Sequence, residues 1–168
     1  MKKPQPKQPS SRRAVLIWSV GSFVALVAAV NLGLYLTDAA PARAVEVTLY
    51  KNPECQCCES YAEYLRDNGF KVTVEATHDL PLMQRMAGVP DGFEGCHLSM
   101  IDGYAVAGHV PIATIEKLLD ERPPIKGITL SGMPQGSPGM NGAKKETFVV
   151  YEIGGSDAGG EPKIYATE

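Results

Sequence analysis

The sequence is short of several residue types on which common functions depend. It has three histidines, four cysteines and a single tryptophan. It contains no internal repeat. Basic residues are scarce beyond the N-terminal segment. From Val45 to Glu168 there are 10 Lys and Arg against 18 Asp and Glu, a formal charge of −8. A nucleic-acid partner requires a basic face, so that class is excluded. The acidic balance suits attraction of cations, although solubility explains it as simply. Three of the four cysteines are packed as C-x-C-C, which is not the usual zinc knuckle of separate C-x₂₋₄-C pairs.

The first 44 residues do not read as a folded domain. Lys2, Lys3, Lys7, Arg12 and Arg13 precede an uncharged run of 23 residues from Ala14 to Leu36. As a helix that run spans ~35 Å, enough to cross a bilayer. Positive charge on its N-terminal side keeps that side cytoplasmic, so the chain after Leu36 is expected in the periplasm. Two readings of the segment stay open. Ser11-Arg12-Arg13 resembles a twin-arginine signal and Ala42-Arg43-Ala44 fits a cleavage site, whereas the length of the apolar run favours an uncleaved membrane anchor.

From residue 45 to 168 a single domain is expected. Glu46 to Tyr50 alternates polar and apolar and reads as a strand. Cys57 to Asn68 is helical, with Tyr61, Tyr64 and Leu65 on one face and Gly69 as the stop. Phe70 to Glu75 alternates again, completing a βαβ unit with neighbouring parallel strands. Asp79 to Ala87 is a short helix with Asp79 as candidate N-cap and Met83 and Met86 assigned to the core. His97 to Ile101 and Tyr104 to Ala107 flank Asp102-Gly103, a two-residue hairpin signal. Pro111 opens another helix, with Ile112, Ile115, Leu118 and Leu119 on one face. Lys126 to Lys145 lacks periodicity and reads as an irregular Gly/Pro loop carrying Met133 and Met140. Thr147 to Ile153 is a strand, Gly154 to Pro162 a turn, and Lys163 to Thr167 a last short strand. The order β-α-β-(α)-β-β-α is that of an α/β thioredoxin-like core, here with an added C-terminal loop and strand or hairpin.

Chemistry concentrates in Cys55-Gln56-Cys57-Cys58, at the junction of strand and helix. There the exposed N–H groups and partial positive charge of a helix N-terminus favour thiolate. Cys55 and Cys58 have the C-x-x-C spacing of a redox pair. Cys57 serves no purpose in dithiol exchange, but converging thiolates bind Cu(I) or Zn²⁺. Cys96 completes a four-sulfur set if the loop before the hairpin packs on the C-x-x-C turn. His97 and His109 are candidate imidazole ligands; His78 reads as surface. Met133 and Met140 are either thioether ligands or a hydrophobic cover. Three readings stay open: a soft-metal site, a thiol–disulfide oxidoreductase using Cys55 and Cys58, and a pair of structural disulfides in an oxidising compartment.

A resemblance weighs between them. Tyr50-Lys51-Asn52-Pro53-x-Cys55-x-Cys57-Cys58, Gly88-Val89-Pro90, Cys96-His97, Asp102-Gly103-Tyr104, Gly108-His109-Val110-Pro111 and Gly132-Met133-Pro134-x-Gly136-Ser137-Pro138-Gly139-Met140 together resemble the CopG-type periplasmic copper-resistance proteins. The resemblance covers about Val45 to Glu168. It implies a thioredoxin-like domain holding one or several Cu(I) ions through Cys55, Cys57, Cys58 and Cys96. It further implies a role in copper resistance beside other periplasmic copper-handling proteins, with copper oxidoreductase as the activity proposed for the family.

Overall fold

The computed structural model describes residues 44–156 and 160–168. The N-terminal segment expected to be a signal or anchor, with its cleavage site, lies outside the described residues, as does the centre of the expected turn at Gly154 to Pro162. Among the described residues no helix is long and apolar enough to cross a membrane.

Among the described residues ten elements follow in order. They are β1 (Glu46–Lys51), α1 (Gln56–Asp67), β2 (Lys71–Ala76), α2 (Leu80–Ala87), β3 (His97–Ile101), β4 (Tyr104–Ala107), α3 (Ile112–Glu121), β5 (Gly127–Thr129), β6 (Val149–Ser156) and β7 (Pro162–Thr167). The strands form one sheet ordered β2-β1-β3-β4-β5-β6-β7. β1 pairs parallel with β2 and antiparallel with β3; β4 pairs parallel with β5; the remaining pairs are antiparallel.

Side-chain alternation divides the core between the two faces of the sheet. On one face Val47, Leu49, Ile101, Val106 and Ile128 pack with Tyr61 and Leu65 of α1 and with Ile115 and Leu118 of α3. On the other, Leu98, Ala105, Ala107 and Ile153 pack with Leu80 of α2. Burial on both faces explains why β4 is apolar throughout rather than alternating. The β3–β4 turn has positive φ at both Asp102 (48°) and Gly103 (90°), as a type I′ hairpin requires, and Arg122 pairs with Asp102.

Three expectations are corrected. Met86 is 76% exposed and not in the core, because α2 covers the sheet with only a narrow stripe; Met83 is half-buried. β5 lies within the stretch read as irregular: three residues are too few to display a period. A β-carbon at Gly127 would sit 1.8 Å from the Ala105 carbonyl oxygen, so only glycine permits that pairing. β6 continues to Ser156, past the glycines taken as a turn. Asp79 stands at the N-cap of α2 as expected, although its side chain makes no capping bond and its own N–H donates to Thr77 Oγ1 (3.0 Å).

Candidate metal centre

The sheet topology assembles the site at one end. Lys51 stands opposite His97 across the β1–β3 pair, so the chain leaving β1 and the chain entering β3 meet there. Ala107 stands opposite Leu98, and Thr129 beside Ala107, so the chain leaving β4 and β5 emerges at the same end. Cys55 to Cys58, Cys96-His97, Gly108-His109 and the loop after Leu130 are therefore neighbours in space.

Close backbone approach tightens the arrangement. A β-carbon on Gly95 would lie 2.2 Å from Gly108 N, and one on Gly108 (φ 75°) would lie 2.2 Å from Leu130 O. Gly108 N–H donates to His97 O (3.1 Å). Gln84, only 3% exposed, clamps Gly95 from α2: its Nε2 donates to Gly95 O and Gly95 N–H donates to its Oε1, both at 2.9 Å. On the other side, the buried Lys51 ammonium donates to Asn52 O (3.2 Å) and Pro53 O (3.1 Å) and pairs with Glu59 (3.1 Å), fixing the turn that presents Cys55. Sequence reading missed Gln84, Lys51 and the Gly95–Gly108 contact. The available signals were an amide within the apolar pattern of α2 and a glycine preceding both Cys96 and His109.

The four sulfurs lie within 4.8 Å of one another. Cys55, at the N-cap of α1, is disulfide-bonded to Cys58, while Cys57 and Cys96 are free thiols. A pair of disulfides is thus not what forms. Cys57 Sγ is 3.5 Å from Cys55 Sγ and 3.9 Å from Cys96 Sγ; Cys58 Sγ is 3.7 Å from Cys96 Sγ. Cys58 is fully buried, whereas Cys57 and Cys96 are half-buried.

Both histidines expected near the site face Cys96, and the three form a second donor group that shares its sulfur. His109 Nε2 is 3.0 Å and His97 Nδ1 3.5 Å from Cys96 Sγ. His109 Nδ1 is 2.6 Å from the Pro138 carbonyl, which can only accept. The proton is therefore on Nδ1, and Nε2 turns its lone pair to the sulfur. His97 is fully buried against the Tyr61 ring (centroids 4.5 Å apart), and among the described residues its Nε2 has no hydrogen-bond partner. Burial, with His109 adding, holds the His97 pKa well below the usual imidazole value; burial also lowers that of His109. Both rings are neutral at neutral pH, the form that ligates metals. Burial and the neighbouring Cys57 push the Cys96 thiol up to about 12. A metal ion would supply the missing positive charge and draw that proton off.

The loop after β5 roofs the cluster. A β-carbon on Gly139 (φ 76°) would sit 2.7 Å from Tyr61 N, so that glycine rests on the backbone of α1. Met140 follows it and lines a cleft of about 350 Å³ with Gln56, Cys57, Ser60, Gly139 and Asn141. Met133 is 57% exposed and is not among the residues of that cleft. His78 is exposed, as expected.

The donor set fits a soft ion: four sulfurs and two neutral imidazoles converge, with no carboxylate in either donor group. All four sulfurs can act as thiolates only once the Cys55–Cys58 disulfide is reduced.

Residues 93–140 match a protein family described as a protein of unknown function, DUF411. No curated protein matches the sequence. Two solved structures of a copper resistance protein, CopG, are similar over most of their length. Form 2 is 34% identical, with a TM-score of 0.67, and the match covers 75% of this chain and 99% of that one. Form 1 is 33% identical, with a TM-score of 0.66, covering 75% and 98%.

Proposed function

The chain belongs to the family of the copper resistance protein CopG, and from that premise we propose that it binds Cu(I) through Cys55, Cys57, Cys58 and Cys96 in copper resistance or homeostasis. The observation that carries this reading is the convergence of four sulfurs, from segments 38 residues apart, within 4.8 Å. Cu(I) prefers such sulfur ligands, and four can bridge more than one ion. His109 and His97 stand beside Cys96 as further ligands or as groups that tune it. The residues before 45 would be the export segment, anchored or cleaved, and 45–168 a periplasmic copper-binding domain. The β2-β1-β3-β4 order, with β1 and β2 parallel, supports a thioredoxin-like core.

The Cys55–Cys58 disulfide favours a second reading, thiol–disulfide or copper redox chemistry. In the copper version the dithiol becomes the disulfide, two protons leave, and two Cu(II) become two Cu(I). The two readings part on Cys57. Titration of anaerobic, reduced protein with Cu(I) against a chelator is expected to load more than one ion, and Cys57→Ser to lower that number. A Cys57→Ser protein with unchanged stoichiometry would overturn the cluster. Reduction of a model disulfide by metal-free protein, with Cys57→Ser silent, would favour the oxidoreductase.

A further inference from the structure

A cleft beside Cys57 brings soft donors of the four-sulfur cluster to solvent. Cys58 is fully buried, and the half-buried Cys55 and Cys96 are not among the residues lining it, Cys96 facing His97 and His109 instead. Cys57, by contrast, lines the cleft of about 350 Å³ that Met140 also lines. The other side chains there, Gln56, Ser60 and Asn141, are neutral. Such a cleft offers little to a hydrated hard cation, but thiolate and thioether together suit Cu(I).

Met140 does not behave as a flexible filler. Its loop is fastened on both sides: Pro138 O accepts from His109 Nδ1, Gly139 abuts the α1 backbone, and Met140 N–H donates to Ser137 O (2.9 Å). Ser137 is itself buried, and its Oγ donates to Pro134 O (2.8 Å). A methionine held half-exposed on a rigid loop buries little apolar area, so packing alone does not account for it.

We propose that Cys57 and Met140 form a transit site for Cu(I) at the mouth of the centre, through which ions pass between solvent or a donor protein and the inner sulfurs. Met140 is then a carrier ligand and not a resident one. This deepens the Cu(I) reading and rests on it.

The test is stopped-flow transfer of Cu(I) from reduced, loaded protein to a bathocuproine chelator, with loading followed in the reverse direction. Met140→Leu is expected to keep the full Cu(I) capacity and to slow both directions by roughly tenfold. Met133→Leu, in the same loop but outside the cleft, is expected to exchange like the parent chain. Met140→Leu rates within about twofold of the parent would overturn the transit site. So would loss of capacity, which would make Met140 a resident ligand, or equal slowing by Met133→Leu. Methyl NMR on the unsubstituted chain gives a check free of folding effects: the Met140 methyl signal should broaden at substoichiometric Cu(I), and a silent methyl would overturn the proposal. A parent chain that takes up no Cu(I) would instead sink the copper reading underneath, and the transit site with it.

Discussion

Replacing Gln84 tests how Cys96 is held. Its side chain makes two bonds of 2.9 Å to the Gly95 backbone, one residue before Cys96, and is 3% exposed. Gln84→Leu strands one N–H and one C=O, at about 1–3 kcal/mol for each group left unmet. Gly95 is half-buried, so water recovers part of this, and leucine adds apolar contact beside the α2 core. The expected net loss is about 2 kcal/mol. Urea unfolding of reduced, metal-free protein measures it, read as a lower midpoint at unchanged slope. Gln84→Glu sharpens the argument. It keeps an acceptor for Gly95 N–H but sets a carboxylate oxygen against Gly95 O. Burial raises the pKa of that carboxyl above its unfolded value, so the variant's stability is present at low pH, where the acid can donate, and is lost as pH rises. The deficit relative to the parent chain, taken at each pH, should shrink as pH falls below about 6. A leucine variant within about 0.5 kcal/mol of the parent, or a glutamate variant whose deficit ignores pH, would refute the clamp.

Two further outcomes follow from the same geometry. Gly139→Ala places a β-carbon against Tyr61 N at positive φ, and is expected to destabilise the fold by about 1–3 kcal/mol and lift the Met140 loop, measurable by thermal unfolding and by faster proteolysis of that loop. His97 has its pKa depressed by burial, so below about pH 6.5 the unfolded chain takes up a proton that the folded one refuses. Stability of metal-free protein should therefore fall as pH drops from about 6.5, by up to about 1.4 kcal/mol per pH unit from this residue; His97→Phe should flatten that slope, and an unchanged slope would count against it.

Much of the fold was legible because strong local signals agreed with it. Asp102-Gly103 fixed the hairpin, Gly69 closed α1, alternation marked β1 and β2 as strands, and the helix between them made the pair parallel. The site was legible to the extent that its donors are chemically unusual, as with three cysteines in four residues and a Cys-His pair. What escaped were features made only by tertiary contact. β5 is three residues long and is held by its neighbours; Met86 was assigned inward by a periodicity that α2 satisfies with fewer residues. Gln84 and Lys51 act on backbone atoms, so no motif announces them. His109 carried little signal alone, and gains its place because Gly108 lets its strand exit touch Gly95 and because Pro138 O fixes its tautomer.

The central claim is that Cys96 joins the C-x-C-C sulfurs around the same copper. Copper-edge X-ray absorption on reduced, Cu(I)-loaded protein and on Cys96→Ser tests it directly. The account predicts a sulfur-dominated shell in the parent chain and fewer sulfurs per copper in Cys96→Ser. Indistinguishable spectra, or a shell of nitrogen and oxygen in the parent chain, would contradict it.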